Sequence, residues 1–154
     1  MRLRIVCVGK LREKWLEDGA KEYLKRLSRF CVTEMIEVPD APDSLPEKQA
    51  LEREGATILS RIKPASTVWL MDLSGETMDS ETFSRELIKG FEDGGAEITF
   101  VIGGSNGFSD PVVQRATRRI RFSDMTFTHT MSRLILLEQC FRAFKIARGE
   151  TYHK

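Results

Sequence analysis

The sequence predicts one α/β domain built on a mainly parallel β-sheet with helices on both faces. Short apolar runs rich in β-branched residues alternate along the chain with longer amphipathic segments, which is typical of strand–helix–strand units. The first run, at residues 3–9, is apolar and ends at a glycine, as a buried strand does. A length of 154 residues suits one domain, and neither a second domain nor a repeat is indicated, so we expect residues 1–154 to fold together.

The strands are predicted from apolar runs that end at turn residues. Five are expected, at residues 3–9, 32–38, 67–73, 96–102 and 120–122. A turn is predicted at Ser74-Gly75, directly after the third strand. Because helical segments separate the strands, successive strands should run parallel, with both sheet faces buried.

The first helix is predicted from helical spacing of apolar residues. Leu11, Trp15, Tyr23, Leu24 and Leu27 are related by spacings of three, four or eight positions and so fall on one side of a helix. Charged residues occupy the opposite side of this segment. We therefore expect these five side chains to face the sheet.

Capping residues and glycines place the remaining helices. A side-chain oxygen of Asp79 or Ser80 caps a helix that stops at Gly94-Gly95. Ser109-Asp110-Pro111 starts a short helix, with a capping oxygen and a proline in the first turn. Two further helices are predicted at residues 49–62 and 134–146.

Composition excludes several classes of protein. The chain is 41% hydrophobic and 31% charged, as in ordinary soluble proteins, and its formal charge of +1 leaves binding of a polyanion to local patches. No run approaches the roughly 20 apolar residues that cross a bilayer, and the amino terminus lacks signal-peptide features. Cys7, Cys31 and Cys140 are odd in number and widely spaced, which predicts buried thiols rather than disulfides or a metal site. We expect a cytoplasmic protein without membrane contact or metal.

A ligand site is predicted at the carboxyl edge of the sheet. In parallel α/β sheets, ligands bind beyond the carboxyl ends of the strands. The loops that follow Leu73, Ile102 and Phe122 all belong to that edge. Two of these loops carry the most unusual local sequences of the chain, GGSNG at residues 103–107 and FSDMTF at residues 122–127.

The glycine loop is compatible with two functional interpretations. Glycines without side chains let backbone amides approach a ligand closely, so the loop can cradle a small molecule. It also matches G-x-S-x-G, a nucleophile elbow centred on Ser105, with Asp124 and either His129 or His153 following in triad order. The late start of the next helix, at residues 109–111, argues against the nucleophile-elbow interpretation. A Walker loop is excluded because its Lys-Ser/Thr ending is missing.

Several polar side chains follow these loops. His129 is either a helix cap or a catalytic residue, and Arg133 lies one helical turn further on the same side. Tyr152 and His153 lie close to the carboxyl terminus, where order would indicate a binding role. A basic cluster beside the second loop is either a solvated face or a phosphate contact, and comprises Arg118, Arg119 and Arg121.

Five sequence blocks together resemble the ribosomal RNA large subunit methyltransferase H (RlmH) family, a small branch of the SPOUT class. The blocks are LRIVCVGK, DLSG, FVIGGSNG, FSDMTFTH and RAFKIARGETYHK. They span essentially the whole chain, and the last three in combination are highly specific. One departure is that threonines flank His129, where the resemblance leads us to expect proline on at least one side.

The resemblance implies a fold, a cofactor and a substrate. It implies an α/β sheet with a C-terminal trefoil knot, and a homodimer in which the partner completes the substrate pocket. The cofactor is S-adenosylmethionine, and the reaction is methylation of N3 of a pseudouridine in 23S ribosomal RNA within the assembled ribosome. The implied cofactor-binding residues are Met71, Leu73, Gly103, Gly104, Phe122, Ser123, Asp124, Met125, Thr126 and Phe127.

The resemblance also implies catalytic roles near the carboxyl terminus. His129 or His153 would accept the N3 proton, because the nitrogen must be deprotonated to attack. Arg133 would stabilise the anionic uracil edge. Tyr152 would stack on the displaced base or hydrogen-bond to it.

Three functions are therefore compatible with the sequence. A methyltransferase explains the two loops, the basic cluster and the tail together. A small serine hydrolase explains only Ser105 and its loosely placed partners. A non-catalytic ribosome-binding module explains the arginines but not the glycine loop.

Overall fold

The sheet has five parallel strands in the order β2-β1-β4-β3-β5. The computed structural model describes residues 1–152. The strands are β1 (Arg2–Val8), β2 (Val32–Val38), β3 (Thr67–Glu76), β4 (Glu97–Ile102) and β5 (Arg118–Ile120). The helices are α1 (Lys14–Leu27), α2 (Glu47–Arg61), α3 (Ser80–Asp93), α4 (Asp110–Arg115) and α5 (His129–Ala147). The predicted α/β class and parallel sheet are confirmed.

Alternation of side chains along the strands divides the core into two layers. In β1, Leu3, Ile5 and Cys7 face one layer, while Val6 and Val8 face the other. Both sets are fully or almost fully buried, which is the pattern of a central strand covered on both faces. Burial of each such side chain contributes roughly 1.5–3 kcal/mol before the entropy of ordering is counted.

Helices α1, α3 and α5 cover the larger layer, and α2 and α4 cover the smaller one. Helix α5 lies between α1 and α3 and packs against both. Aromatic rings fill this layer, with Phe30 stacked on Phe144 at 5.3 Å between ring centroids. Because α5 is fixed on both sides, its first residue, His129, has a defined position at the carboxyl edge of the sheet.

The first helix differs from its prediction. Helix α1 begins at Lys14, so Leu11 belongs to the preceding loop. Leu16, Ala20 and Leu27 form its buried face, and Trp15 is 60% exposed. The expectation that Trp15 faces the sheet is therefore wrong, because Leu16 takes the inward position.

Two strand ends also differ. Strand β3 continues through the predicted turn at Ser74-Gly75 to Glu76, with a register irregularity between Met71 and Glu76. A Cβ at Gly75 would lie 2.5 Å from the Ile120 nitrogen, so only glycine allows β3 to stay beside β5 here. Strand β5 lies at residues 118–120 rather than 120–122, so Phe122 belongs to the following loop.

The predicted ends of α3 and the state of the cysteines are confirmed. The Asp79 carboxylate accepts a hydrogen bond from the Thr82 amide at 2.7 Å, and α3 ends at Gly94. Cys7, Cys31 and Cys140 are free thiols within the core. Over residues 1–152, none of the helices is both long and apolar enough to span a membrane.

Candidate active site

A cavity of about 760 Å³ lies at the carboxyl edge of the sheet. Residues of β3 and the segments that follow β1, β4 and β5 all line it, as expected where the ends of parallel strands meet. Its size falls within the range of small-molecule sites. The lining divides into two parts, which we call the apolar wall and the charged wall.

The apolar wall consists of residues 71–73 of β3 and the segments that follow β4 and β5. Nine of the ten cofactor-binding residues implied by the resemblance line it: Met71, Leu73, Gly103, Gly104, Phe122, Ser123, Met125, Thr126 and Phe127. Asp124 does not, because its side chain is 87% exposed and forms an ion pair with Arg121 at 2.9 Å. The structure therefore places the three predicted loops on one surface, with Asp124 on the outside.

The glycine loop folds back on itself. Gly104 and Gly107 form an isolated antiparallel bridge, and Gly107 has φ of +83°. A Cβ at Gly103 would lie 2.9 Å from the Gly107 oxygen and 2.9 Å from the Phe108 ring. Because no side chain fits there, backbone groups of the loop form this part of the cavity surface.

The loop is not organised as a nucleophile elbow. Ser105 is followed by four more loop residues before α4 begins at Asp110, and α4 is only six residues long. Among residues 1–152, no hydrogen bond links Ser105 to His129 or to a carboxylate. The arrangement lacks the nucleophile–base contact that a serine hydrolase requires.

The loop between β5 and α5 is held by local contacts and exposes apolar side chains. The Ser123 hydroxyl accepts a hydrogen bond from the Met125 amide at 3.0 Å. Phe122 and Phe127 pack edge to face with centroids 6.3 Å apart. Met125 is 76% exposed, and Leu73 is also exposed beside it. Exposed apolar side chains around a cavity are typical of a ligand-binding surface.

The charged wall consists of Gly9, Lys10, Arg12, Glu13, Asp40 and His129. His129 is the first residue of α5, where Thr128 caps the helix by accepting a hydrogen bond from the Met131 amide. Burial, and then the positive charge of Arg133, lower the pKa of His129 below its ordinary value. Nearby carboxylates oppose this shift, namely Asp40, Glu13 and Glu54. The imidazole is therefore mainly neutral at pH 7, as a proton acceptor must be.

Arg133 occupies a different place from the one predicted. Its side chain is 0% exposed, so the guanidinium does not reach the cavity. It donates hydrogen bonds to the Val8 oxygen at 2.7 Å and the Gly9 oxygen at 2.9 Å. It also pairs with Glu37 at 3.0 Å. The expected contact between Arg133 and the substrate base is corrected to a structural contact with the end of β1.

The arginines of the predicted basic cluster are all engaged within the protein. Arg118 pairs with Glu86 at 2.8 Å and with Glu76 at 3.2 Å. Arg119 donates to Asp72 through two nitrogens, at 2.7 and 2.8 Å. Only Arg121 of the three lines the cavity, and it pairs with Asp124. The cluster therefore fixes β5 and its loop, and its charges are neutralised locally.

Tyr152 lies away from the cavity of its own chain. Tyr152 packs edge to face on Phe141 at 5.0 Å, and its hydroxyl donates to Glu138 at 3.3 Å. Burial, and then the Tyr23 hydroxyl, raise the pKa of Tyr152 to about 12, so it stays protonated. His153 lies outside the residues that the structure describes.

Sequence reasoning missed most of the charged wall. Lys10, Arg12 and Glu13 follow β1, and Asp40 follows β2. The available signal was Gly9, which ends the first strand at the same edge as the other loops and has φ of +83°. Within residues 1–152, no group of three or more His, Cys, Asp and Glu side chains is arranged to hold a metal ion.

Comparison with known proteins identifies the family. Residues 1–153 match the profile of the family described as "Predicted SPOUT methyltransferase". A relative from Acetivibrio thermocellus, named ribosomal RNA large subunit methyltransferase H, is 46% identical over 159 residues, with 100% of both chains aligned.

Two solved structures are similar in fold. A probable methyltransferase from Bordetella pertussis Tohama I has a TM-score of 0.54 at 14% identity, covering 92% of this chain and 95% of that one. A probable methylase family protein from Haemophilus influenzae Rd KW20 also has a TM-score of 0.54 at 14% identity, covering 96% of this chain and 66% of that one. At this identity the likeness concerns the fold alone.

These matches decide among the three functions. Methyl transfer agrees with the full-length family match, whereas a hydrolase and a non-catalytic module do not. The cavity also suits the cofactor of this family, because a glycine loop offers backbone groups to an adenine edge and apolar side chains suit a thioether region. The chain belongs to the SPOUT methyltransferase family and is an S-adenosylmethionine-dependent methyltransferase.

Proposed function

We propose that this protein methylates N3 of a pseudouridine in 23S ribosomal RNA, within the assembled ribosome. The relative that is 46% identical over its full length bears the name of a large-subunit ribosomal RNA methyltransferase. The observation that carries the proposal is a single cavity in which an apolar wall faces a partly buried, mainly neutral histidine. One wall suits a nucleoside cofactor, and the other suits a base that must lose a proton.

The apolar wall would hold the cofactor. S-adenosylmethionine supplies an electrophilic sulfonium methyl group when bound. Backbone groups of Gly103, Gly104 and residues 122–127 would orient its adenosine, and Met71 and Met125 would cover its apolar part. Because these side chains also exclude water, the wall would fix the direction of methyl transfer.

His129 would accept the proton from N3 of the target base. Its lowered pKa keeps the imidazole neutral at physiological pH. It lines the same cavity as the proposed cofactor residues, and this supports a role as the proton acceptor in methyl transfer. His153 remains the second candidate for this role.

Tyr152 would act on the cavity of a partner subunit. In its own chain it packs on Phe141 and Glu138, outside the cavity. We therefore propose a homodimer in which the tail of each chain completes the other subunit's substrate pocket. A protonated Tyr152 would there donate a hydrogen bond to the displaced base or stack on it.

Two further properties are proposed on the family resemblance. We propose that the segment between β5 and α5 takes part in a C-terminal trefoil knot. We also propose that the protein acts in the cytoplasm, where assembled ribosomes are found.

The decisive experiment uses ribosomes from cells that lack this gene. Purified protein and isotopically labelled S-adenosylmethionine should transfer a methyl group to one pseudouridine of 23S ribosomal RNA, detected by mass spectrometry of the digested RNA. Isolated RNA fragments should be poor substrates, because the formal charge of +1 gives little non-specific attraction. Absence of the methyl group, or its appearance on another base, would contradict the proposal.

A further inference from the structure

We propose that Lys10 and Arg12 form an arm that binds phosphates of the RNA strand carrying the target nucleotide, and that buried Arg133 positions this arm. The inference rests on the proposed function, because it assigns part of the same cavity to the RNA backbone. It replaces the phosphate contact that the sequence suggested for Arg118, Arg119 and Arg121.

Lys10 and Arg12 differ from the other cations around the cavity. Both are exposed and both line the cavity. For residues 1–152, no ion pair within 4.0 Å involves either side chain. Arg121, on the opposite wall, is paired with Asp124. Lys10 and Arg12 therefore keep their charge available for an external anion.

The backbone of the arm is fixed on both sides of Lys10. The Gly9 amide donates to the Val38 oxygen at 2.8 Å, and the Gly9 oxygen accepts from Arg133. The Leu11 amide donates to Glu37 at 2.7 Å. Thus residues 9 and 11 are anchored to the protein, and residues 10 and 12 line the cavity.

Arg133 and Glu37 connect these anchors. One oxygen of Glu37 accepts from both the Leu11 amide and the Arg133 guanidinium, at 2.7 and 3.0 Å. Arg133 also holds the oxygens of Val8 and Gly9. The positive φ of Gly9 lets the chain turn over this network. A flexible loop would lose affinity through ordering on binding, whereas this loop is ordered in advance.

The position of the arm suits a displaced nucleotide. An enzyme that modifies a base within folded RNA must move that base into its pocket, and the flanking phosphates then approach the pocket mouth. Lys10 and Arg12 share the charged wall with His129, the proposed proton acceptor. Glu13 and Asp40 also line this wall, and their carboxylates would repel a phosphate. The positive charges of the arm offset this repulsion.

The test is a comparison of ribosome binding by two charge-matched variants. The first carries Lys10→Gln and Arg12→Gln, and the control carries Arg85→Gln and Lys89→Gln on exposed positions of α3, outside the cavity. Affinity for ribosomes lacking the modification is measured with S-adenosylhomocysteine present, over a range of salt concentrations. Affinity for S-adenosylhomocysteine alone is measured by calorimetry.

We expect the first variant to bind ribosomes at least tenfold more weakly at low salt. The slope of log K against log salt should decrease by about 0.7–0.9 for each lost phosphate contact. Affinity for S-adenosylhomocysteine should stay within twofold of the parent, and the control should match the parent in both measurements. Lys10→Arg with Arg12→Lys should restore most of the ribosome affinity.

Three outcomes would contradict the proposed binding of RNA phosphates by the arm. Ribosome affinity and salt slope equal to those of the control would show that the cations are only solvated. An equal loss of S-adenosylhomocysteine affinity would assign them to the cofactor carboxylate. If the parent protein itself binds S-adenosylhomocysteine but not ribosomes, the proposed function fails, which differs from failure of the variant alone.

The positioning role of Arg133 is tested through Glu37, because loss of the buried arginine endangers folding. Glu37→Ala removes the acceptor for Leu11 and should weaken ribosome binding at least threefold without removing a cation from the arm. Glu37→Gln keeps an oxygen acceptor and should restore binding. If Glu37→Ala lowers the free energy of unfolding but leaves ribosome affinity unchanged, the Arg133–Glu37 pair has only a structural role.

Discussion

The two walls of the cavity differ in the chemical groups that they present to a ligand. The apolar wall presents glycines, backbone groups and exposed apolar side chains, and its one arginine is paired with Asp124. The charged wall presents Lys10, Arg12 and His129 on a backbone that hydrogen bonds hold in place. Shape and close approach dominate on the first wall, and charge and proton transfer on the second. A change to the apolar wall should therefore affect cofactor affinity, whereas a change to the charged wall should affect RNA binding or the rate of methylation.

The difference begins in how each segment is anchored. On the apolar wall, the loop after β4 is held by the Gly104–Gly107 bridge, and the buried carboxylate of Glu54 lies close to Gly104. On the charged wall, the buried Arg133 lies below the turn at Gly9. A buried guanidinium requires partners for its donors, and backbone oxygens at a strand end provide them without adding charge to the cavity.

The largest expected effect is on catalysis by the charged wall. His129→Ala removes the proposed proton acceptor and should lower the methylation rate by roughly 10²–10⁴-fold. Affinity for S-adenosylhomocysteine should change little, because the cofactor residues lie on the other wall. The matched variant is His153→Ala, measured in the same assay. Rates within a few-fold of the parent for both variants would eliminate histidine as the base.

The next effect is on stability. Arg133→Met leaves two backbone oxygens without their side-chain donor and Glu37 without its cation, and should lower the free energy of unfolding by about 3–5 kcal/mol. Urea denaturation followed by circular dichroism measures the change. As a control, Lys21→Met breaks an exposed pair with Glu17 and should leave the urea midpoint nearly unchanged. Equal midpoints for both variants would refute the importance of the buried network.

A smaller effect is expected on cofactor affinity. Gly103→Ala places a Cβ 2.9 Å from the Gly107 oxygen and the Phe108 ring, so the glycine loop must shift. We expect S-adenosylhomocysteine affinity to fall roughly tenfold, about 1.4 kcal/mol, with ribosome affinity little changed. Gly95→Asn is a suitable control, because Gly95 lies outside the cavity lining, has nothing within 4 Å of its Cβ position, and has a positive φ that asparagine tolerates. Parent-like calorimetry for Gly103→Ala would contradict the assignment of this wall.

The smallest effect is a shift of pH dependence. Asp40→Asn removes a carboxylate that favours the charged imidazole, so the pKa of His129 should fall further. Because the neutral form is active, the acid limb of kcat/KM should move to lower pH. Asp43→Asn, exposed in the same connector and outside the cavity lining, should leave the limb in place. If the acid limb of kcat/KM moves to higher pH in Asp40→Asn, His129 is not the titrating base.

The lowered pKa of His129 also predicts how the free energy of unfolding depends on pH. The unfolded chain, with His129 near its ordinary pKa of about 6.5, binds a proton more readily than the folded chain. The contribution of His129 to stability therefore falls as pH drops below that value and is level above it. Urea denaturation between pH 5 and 8 should show a smaller acid loss in His129→Asn than in the parent.

Sequence reasoning was most successful where a signal was local. The strand ending at Ile102 and the glycines after it predicted a loop at the carboxyl edge, and the structure has that loop. Asp79 predicted a cap because a carboxylate beside free amides acts within three residues. The error at Trp15 arose because adjacent positions, 15 and 16, both carry large apolar side chains, and only packing against the sheet selected Leu16.

The sequence by itself determined the alternation of strands and helices, the loops at one sheet edge and the family resemblance, since these depend on short-range patterns. Only the tertiary structure decided the state of each charge. Arg133 is buried by partners 96 and 124–125 residues away, and the Arg118–Arg121 segment is neutralised by acids from other elements as well as by Asp124. Electrostatic interactions depend on distance in space and on burial, and neither follows from neighbouring letters. For that reason the free cations of the cavity, Lys10 and Arg12, became recognisable only after the chain was folded.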